Sequence, residues 1–159
     1  TTKMPPEQLS LLSNLADCTI NISDAEGFGL ATLESLSCET PIIVNMTGGL
    51  QEQVSDEEGN MLGIGIEPTS KVVIGSQDVP FIYEDRMSKE DCINAMVEMF
   101  SKTKEEREAM GSLAREHVVK NHSCEDYGEK WLKLIGDVIE EHGSWETRKN
   151  YNSWELIEV

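Results

Sequence analysis

The sequence predicts an α/β fold built on a parallel sheet, and three observations predict it. Over the first third of the chain, stretches with helical spacing alternate with short strand-like stretches, the pattern of αβ units rather than of hairpins. The run Pro41-Ile42-Ile43-Val44 is continuously apolar, as in a strand buried on both faces of a parallel sheet. Between the first strand and the second helix stands Asp24-Ala25-Glu26-Gly27-Phe28-Gly29. It is a polar, glycine-bearing turn at the carboxyl end of a strand, where ligands bind in such sheets.

Taken in order, residues 5–17 read as a helix, with Pro5 and Pro6 in its first turn and Leu9, Leu12 and Ala16 on one face. Residues 18–23 read as a strand, 30–38 as a helix carrying Leu30, Leu33 and Leu36, and 41–45 as the buried strand. Thr47-Gly48-Gly49 is a turn leading into a short helix over 50–55, and 55–60 an acidic turn. Residues 61–66 and 71–75 carry β-formers and read as a strand pair or an extended insertion over 61–82. Gly63-Ile64-Gly65 leads into Glu67-Pro68 and not into a helix, so it lacks the context of a dinucleotide fingerprint. Three helices follow: 88–102 opening on Ser88, 103–120 opening on the capping box Thr103 to Glu106, and 123–141. Their apolar positions, among them Ile93, Met96, Val97 and Phe100, then Tyr127, Trp131, Leu134, Ile135 and Val138, predict core-facing stripes. A tail with Trp145, Tyr151 and Trp154 closes the chain.

Composition narrows the function. The chain has 159 residues with 30 acidic against 13 basic side chains, a formal net charge of −17. Such a surface repels nucleic-acid backbones and anionic membranes. No apolar run is long enough to span a bilayer, and no signal-peptide pattern is present. The four cysteines, Cys18, Cys38, Cys92 and Cys124, form no CxxC pair. They read as buried reduced thiols, which points to a reducing, cytoplasmic setting. The sequons at Asn21, Asn45 and Asn121 read as chance matches, two of them at the ends of core strands. His117 and His122 are five apart and read as surface residues. The chain begins at Thr1 and reads as a piece of a larger protein.

The stretch that carries chemistry is 23–41. A strand ends, the chain turns through Gly27 and Gly29, and a helix starts. The first-turn amides of a helix have no intrahelical partner and, with the helix dipole, favour a phosphate. No Lys, Arg or His lies between Lys3 and Lys71, so this part of the chain would hold an anion by amides alone. Glu26 precedes the turn, and Glu34 lies one helical turn after Leu30. Ionised carboxylates accept hydrogen bonds from paired hydroxyls, as on a ribose or hexose. The bland reading of both is a solvated loop residue and a solvated helix residue. A glycoside hydrolase built on this pair finds no other support in the chain.

The segment Glu26-Gly27-Phe28-Gly29-Leu30-Ala31-Thr32-Leu33-Glu34, with LADCTINIS before it and TPIIVNMTGGLQEQV after it, resembles the donor-binding half of retaining glycosyltransferases with two Rossmann-like domains. These are the GT-B enzymes of family 4, the glycosyl transferases group 1, whose hallmark is Glu, seven residues, Glu. The resemblance is close over 1–60 and looser over the C-terminal helices. It implies the second half of the C-terminal Rossmann-like domain, over 1–142. A nucleotide sugar such as a UDP- or GDP-sugar would be the donor substrate, with no cofactor and no obligatory metal. Glu26 would act as the catalytic-site carboxylate on the donor sugar. The amides of Gly27, Phe28, Gly29 and Leu30, with Ala31 in the same turn, would meet sugar and diphosphate. Glu34 would hold the ribose, and Met4, in the 2–4 loop, would lie near the base. Transfer would proceed with retention. The acceptor-binding N-terminal Rossmann-like domain would be the partner on which the 143–159 tail docks. The departures are Glu39 where the family usually has a C-cap Gly, the stretch at 61–82, and the lack of the upstream Arg and Lys. A non-catalytic α/β domain kept for nucleotide binding or assembly is the other class that the sequence leaves open.

Overall fold

The computed structural model describes residues 4–149 and divides into two compact units, 1–119 and 120–159. The first is the α/β unit. Its order is α1 (Pro6–Leu15), β1 (Thr19–Asn21), α2 (Leu30–Ser37), β2 (Ile42–Asn45), a 3-10 helix (Gly48–Gln53), β3 (Gly63–Ile66), β4 (Ser70–Ile74), β5 (Ile82–Arg86), α3 (Lys89–Ser101) and α4 (Lys104–Asn121), whose last turn passes into the second unit. The strands β1, β2 and β3 form a parallel sheet in that order, with Ile20 opposite Ile43 and Ile43 opposite Ile64. The expected fold class is the one found.

Alternation along the central strand builds two cores. Ile42 and Val44 point to one face and join Leu36, Leu50, Val54, Leu62, Ala114 and Val118, from α2, the loop after β2, and α4. Ile43 points the other way and joins Ile64, Ile66, Ala95 and Met99, from β3 and α3. Burying an aliphatic side chain of this kind contributes about 1.5–3 kcal/mol, which is why residues 42–44 of β2 had to be apolar. Gly63 and Gly65 fall on the first face. A Cβ at either would collide with the side chain of Ile42 or Met46, so the glycines flanking Ile64 make room for packing.

Several expectations need correction. Residues 61–66 and 71–75 do not pair with each other. The first contains β3 of the main sheet, while β4 pairs antiparallel with β5, Lys71 opposite Asp85, in a hairpin running past residue 82. The stripe expected on α3 faces the wrong way: Ile93, Met96, Val97 and Phe100 are exposed, whereas Ala95 and Met99 are buried. The helix is apolar on two sides, and only the one with small and flexible residues meets β3. In α1, Leu9 and Leu12 are exposed as well. The cysteines are free, but Cys18, Cys38 and Cys92 are half-buried and Cys124 exposed. Burial, then the adjacent Asp17, raises the Cys18 thiol pKa, partly offset by Arg107. His117 and His122 are half-buried.

The second unit contains α5 (Cys124–His142), capped by Ser123, whose hydroxyl accepts from the Asp126 amide at 3.1 Å. Its apolar stripe, expected in the core, is exposed: Tyr127, Trp131, Leu134, Ile135 and Val138 all face solvent. Trp145 is exposed with the Arg148 guanidinium over its ring at 3.6 Å. Tyr151 and Trp154 lie outside the described residues.

The turn between α2 and β2 fixes α4. Glu39 stands there with φ 63°, the left-handed geometry that favours glycine. Arg115 of α4 partly compensates, facing the Glu39 carboxylate at 3.7 Å and donating to the Ser37 carbonyl. Gly111 is the residue of α4 over this turn, and a Cβ there would fall on the Glu39 carbonyl. Gly→Ala in a helix ordinarily stabilises by about 0.5–1 kcal/mol. Gly111→Ala should instead destabilise by more than about 1 kcal/mol, while Gly128→Ala, whose Cβ would meet nothing within 4 Å, should follow the ordinary sign. Denaturant unfolding monitored by circular dichroism checks both, and a stabilised Gly111→Ala would refute the close approach.

Candidate functional site

The carboxyl ends of β1 and β2 lie side by side, and the loop that leaves each one packs against the other. The contact is backbone to backbone. A Cβ at Gly48 would fall on the Glu26 carbonyl, and one at Gly49 would lie 2.7 Å from Phe28 Cα. Only two glycines allow this approach. The Gly49 amide donates to the Gly27 carbonyl at 2.9 Å. Gln53, 1% exposed, donates its side-chain amide to the Phe28 carbonyl at 2.6 Å and the Gly29 carbonyl at 3.2 Å. The Gly29 carbonyl also accepts from the Thr32 hydroxyl at 2.7 Å and the Leu33 amide at 3.1 Å.

These bonds turn the carbonyls of residues 27, 28 and 29 inward. Gly29, at φ 88°, is the N-cap of α2, and no side chain caps it. A side chain at this position would be strained and would strike Thr32 and Leu50. The first turn of α2, with Leu30 and Ala31 exposed, therefore lacks an N-cap side-chain bond. The result is an open helix amino end below a rigid glycine turn.

Glu26 is half-buried beside it. One carboxylate oxygen accepts from the Gly27 amide at 3.2 Å and the other from the Asn21 side chain at 3.4 Å. Asn21 is itself held by Ser23, whose amide and hydroxyl donate to its Oδ1 at 3.0 and 2.7 Å. Glu34 is exposed on α2. Glu26, Gly27, Phe28, Gly29, Leu30 and Ala31 thus stand at one helix end, and Glu34 lies one turn further along α2. Met4 is exposed just ahead of α1. The far end of α1 is tied to the amino-terminal side of the sheet, where Thr40 donates to the Ser13 carbonyl at 2.8 Å. Among the described residues no hydrogen bond joins Met4 to the loop.

Other residues here escaped sequence reasoning. Asn45, fully buried, donates to the Ser23 carbonyl at 2.9 Å and to the Asp85 carbonyl at 3.0 Å. Asn45 is thus committed to the interior, which disposes of its sequon. Gln53 and Asn45 each leave a side-chain oxygen buried without a partner among the described residues, which is the cost of aiming their NH2 groups at two carbonyls. A polar residue within an otherwise apolar stretch, Asn45 after Ile42-Ile43-Val44 and Gln53 before Val54, was the available signal. Among the described residues no group of three His, Cys, Asp or Glu side chains could hold a metal ion, and no helix is long and apolar enough to cross a membrane. An apolar groove of about 610 Å³, lined by Ile20, Ile43, Met96, Val97 and Phe100, lies elsewhere, beside β1.

The sequence profile of the family described as "Glycosyl transferases group 1" matches residues 1–117. The chain belongs to that family. Its match covers the α/β unit almost entirely, including the docked loops and the uncapped end of α2. Similar proteins within this glycosyltransferase family include three named D-inositol 3-phosphate glycosyltransferase. That of Acidothermus cellulolyticus is 42% identical over 65 residues, 41% of this chain and 14% of the relative. That of Paenarthrobacter aurescens is 30% identical over 93 residues, 57% of this chain and 22% of the relative. That of Corynebacterium jeikeium is 37% identical over 65 residues, 41% of this chain and 16% of the relative. The chain therefore spans a fifth or less of the length of most of the relatives it matches. The family assignment and the α/β architecture together agree with the C-terminal, Rossmann-like part of a GT-B enzyme.

If Gln53 holds the glycine turn, Gln53→Met should cost about 1–3 kcal/mol of stability, because the Phe28 carbonyl loses its side-chain donor and the Gly29 carbonyl one of three. Denaturant titration measures the loss. Wild-type stability would show that Gln53 is incidental to the turn.

Proposed function

We propose that this chain supplies the donor-binding part of a retaining glycosyltransferase that moves a sugar from a nucleotide sugar to an acceptor. The observation that carries the reading is the uncapped amino end of α2 under the clamped glycine turn, with Glu26 on one side and Glu34 on the other. Such a helix end favours a diphosphate. Preorganised amides stabilise the charge that develops on a leaving diphosphate without reorganising during the reaction. In this reading Glu34, one turn into α2, would accept from the ribose hydroxyls, and Glu26, ahead of the turn, would accept from hydroxyls of the donor sugar. The base would lie toward Met4, and the donor would be a UDP- or GDP-sugar.

The cations nearest the loops do not serve the diphosphate in this reading. Lys71 faces Asp85 at 3.5 Å, and Arg86 is taken by Asp24 and Glu84. Positive charge and the acceptor then come from an upstream Rossmann-like domain of the longer protein, on which the 143–159 tail docks. Binding of donor by this part alone is weak, and transfer requires the upstream part to bring the acceptor within reach.

Calorimetric titration with free UDP and GDP and with the corresponding nucleotide sugars tests the assignment. Hydrogen bonds to a charged group contribute about 1.5–3 kcal/mol, so Glu34→Ala should weaken free-nucleotide binding about ten- to a hundredfold. Glu26→Gln should weaken nucleotide-sugar binding and leave free-nucleotide binding near wild type. Equal effects of the two substitutions on both ligands would reject the division between ribose and sugar. No binding of any nucleotide or nucleotide sugar would favour a domain retained for assembly.

A further inference from the structure

The hairpin β4–β5 leaves the sheet at the carboxyl end of β3 and returns to the two loops that build the candidate site. Its second strand ends in Asp85 and Arg86, and both hold Asp24, two residues ahead of Glu26, the first by its backbone and the second by its side chain. The Asp85 amide donates to the Asp24 carbonyl at 2.7 Å. The Arg86 guanidinium meets the Asp24 carboxylate at 2.5 Å, and Glu84 holds its other nitrogen. The Asp85 carbonyl accepts from buried Asn45, which also donates to the Ser23 carbonyl. The Asp85 carboxylate accepts from Thr47 at 2.8 Å and faces Lys71. Residues 23 and 24 are therefore held between the end of β2 and the end of β5.

Glu26 needs such support. Its own bonds are long, 3.4 Å to Asn21 and 3.2 Å to the neighbouring amide. Its carboxylate is positioned by the backbone on either side: at residue 27 by Gly49, and at residue 24 by the hairpin. We propose that the β4–β5 hairpin is a latch for the donor-sugar side of the site, with Arg86 and Asp85 as residues that position Glu26 without touching the donor. Arg86 is engaged by two carboxylates, which makes it a structural cation of the loop and not a phosphate ligand. The latch rests on the donor-site reading above for its function, but not for its geometry.

The variants are Arg86→Ala, Asp24→Asn, their combination, and Arg86→Lys, each checked for folding by circular dichroism. Titration with UDP-glucose, GDP-mannose, UDP and GDP gives the functional readout. Arg86→Ala should weaken whichever nucleotide sugar the wild type binds by about tenfold and change its free nucleotide by less than about twofold. Asp24→Asn should do the same, and the double variant should lose no more than either single one, because both remove one interaction. Arg86→Lys keeps the charge and should recover most of the loss. Additive losses, equal losses on nucleotide and nucleotide sugar, or no loss would overturn the latch. Hydrogen exchange gives a second, ligand-free readout. Arg86→Ala should speed exchange over residues 22–29 and leave 48–56 and the β2 core unchanged. If the wild type binds none of the four ligands, the donor reading fails, and exchange alone decides the latch: unchanged protection over 22–29 rejects it.

Discussion

The site depends on a contact between two backbones. The loop after β1 and the loop after β2 approach so closely that no side chain fits between them, and Gly48 and Gly49 are where they meet. A close approach of this kind would strand polar groups unless each found a partner. The Gly49 amide and the Gln53 side chain supply those partners. The consequence is directional. Once the carbonyls of residues 27–29 are satisfied toward the interior, the open end of α2 is what remains to face a ligand. The two cores on either side of β2 hold the strands in register, so the contact is reproduced each time the chain folds.

Electrostatics shape what this site can do alone. The segment from residue 4 to residue 70 contains no cation, and the two that the hairpin brings, Lys71 and Arg86, are paired with acidic neighbours. Exposed pairs of this sort contribute little to global stability. Their value here is local, because they neutralise carboxylates that would otherwise repel one another and a bound phosphate. Under the proposed donor-binding function, attraction for a diphosphate would be left to oriented amides, which act at short range, while the net charge of −17 opposes an anion at long range.

Much of this was legible in the sequence. The apolar run 41–44 gave the central strand, Ser88, Thr103 and Ser123 gave the helix starts, and Glu26 to Glu34 gave the loop and helix of the site. What was not legible followed from tertiary pairing. Residues 61–66 read like half of a local strand pair because β-formers do not reveal their partner, and here the partner was β2, across the acidic turn. The stripes of α3 and α5 have helical spacing, but spacing says which residues share a face and not whether anything covers it. Asn45 and Gln53 looked like interruptions in apolar stretches. Their role appeared only when the carbonyls they satisfy were brought to them from 20 or more residues away.

The edge of the sheet at β1 has a consequence for how the molecule behaves in bulk. Among the described residues β1 is hydrogen-bonded along one side alone, and Ile20 on it and Ile22 just beyond it are exposed. A row of open amides and carbonyls flanked by isoleucines is a template for another strand. Here the surplus of acidic side chains acts as a colloidal guard, keeping like-charged copies from meeting edge to edge. Strong salt screens this repulsion. The same property that hinders an anionic ligand thus also opposes edge-to-edge pairing of like-charged copies.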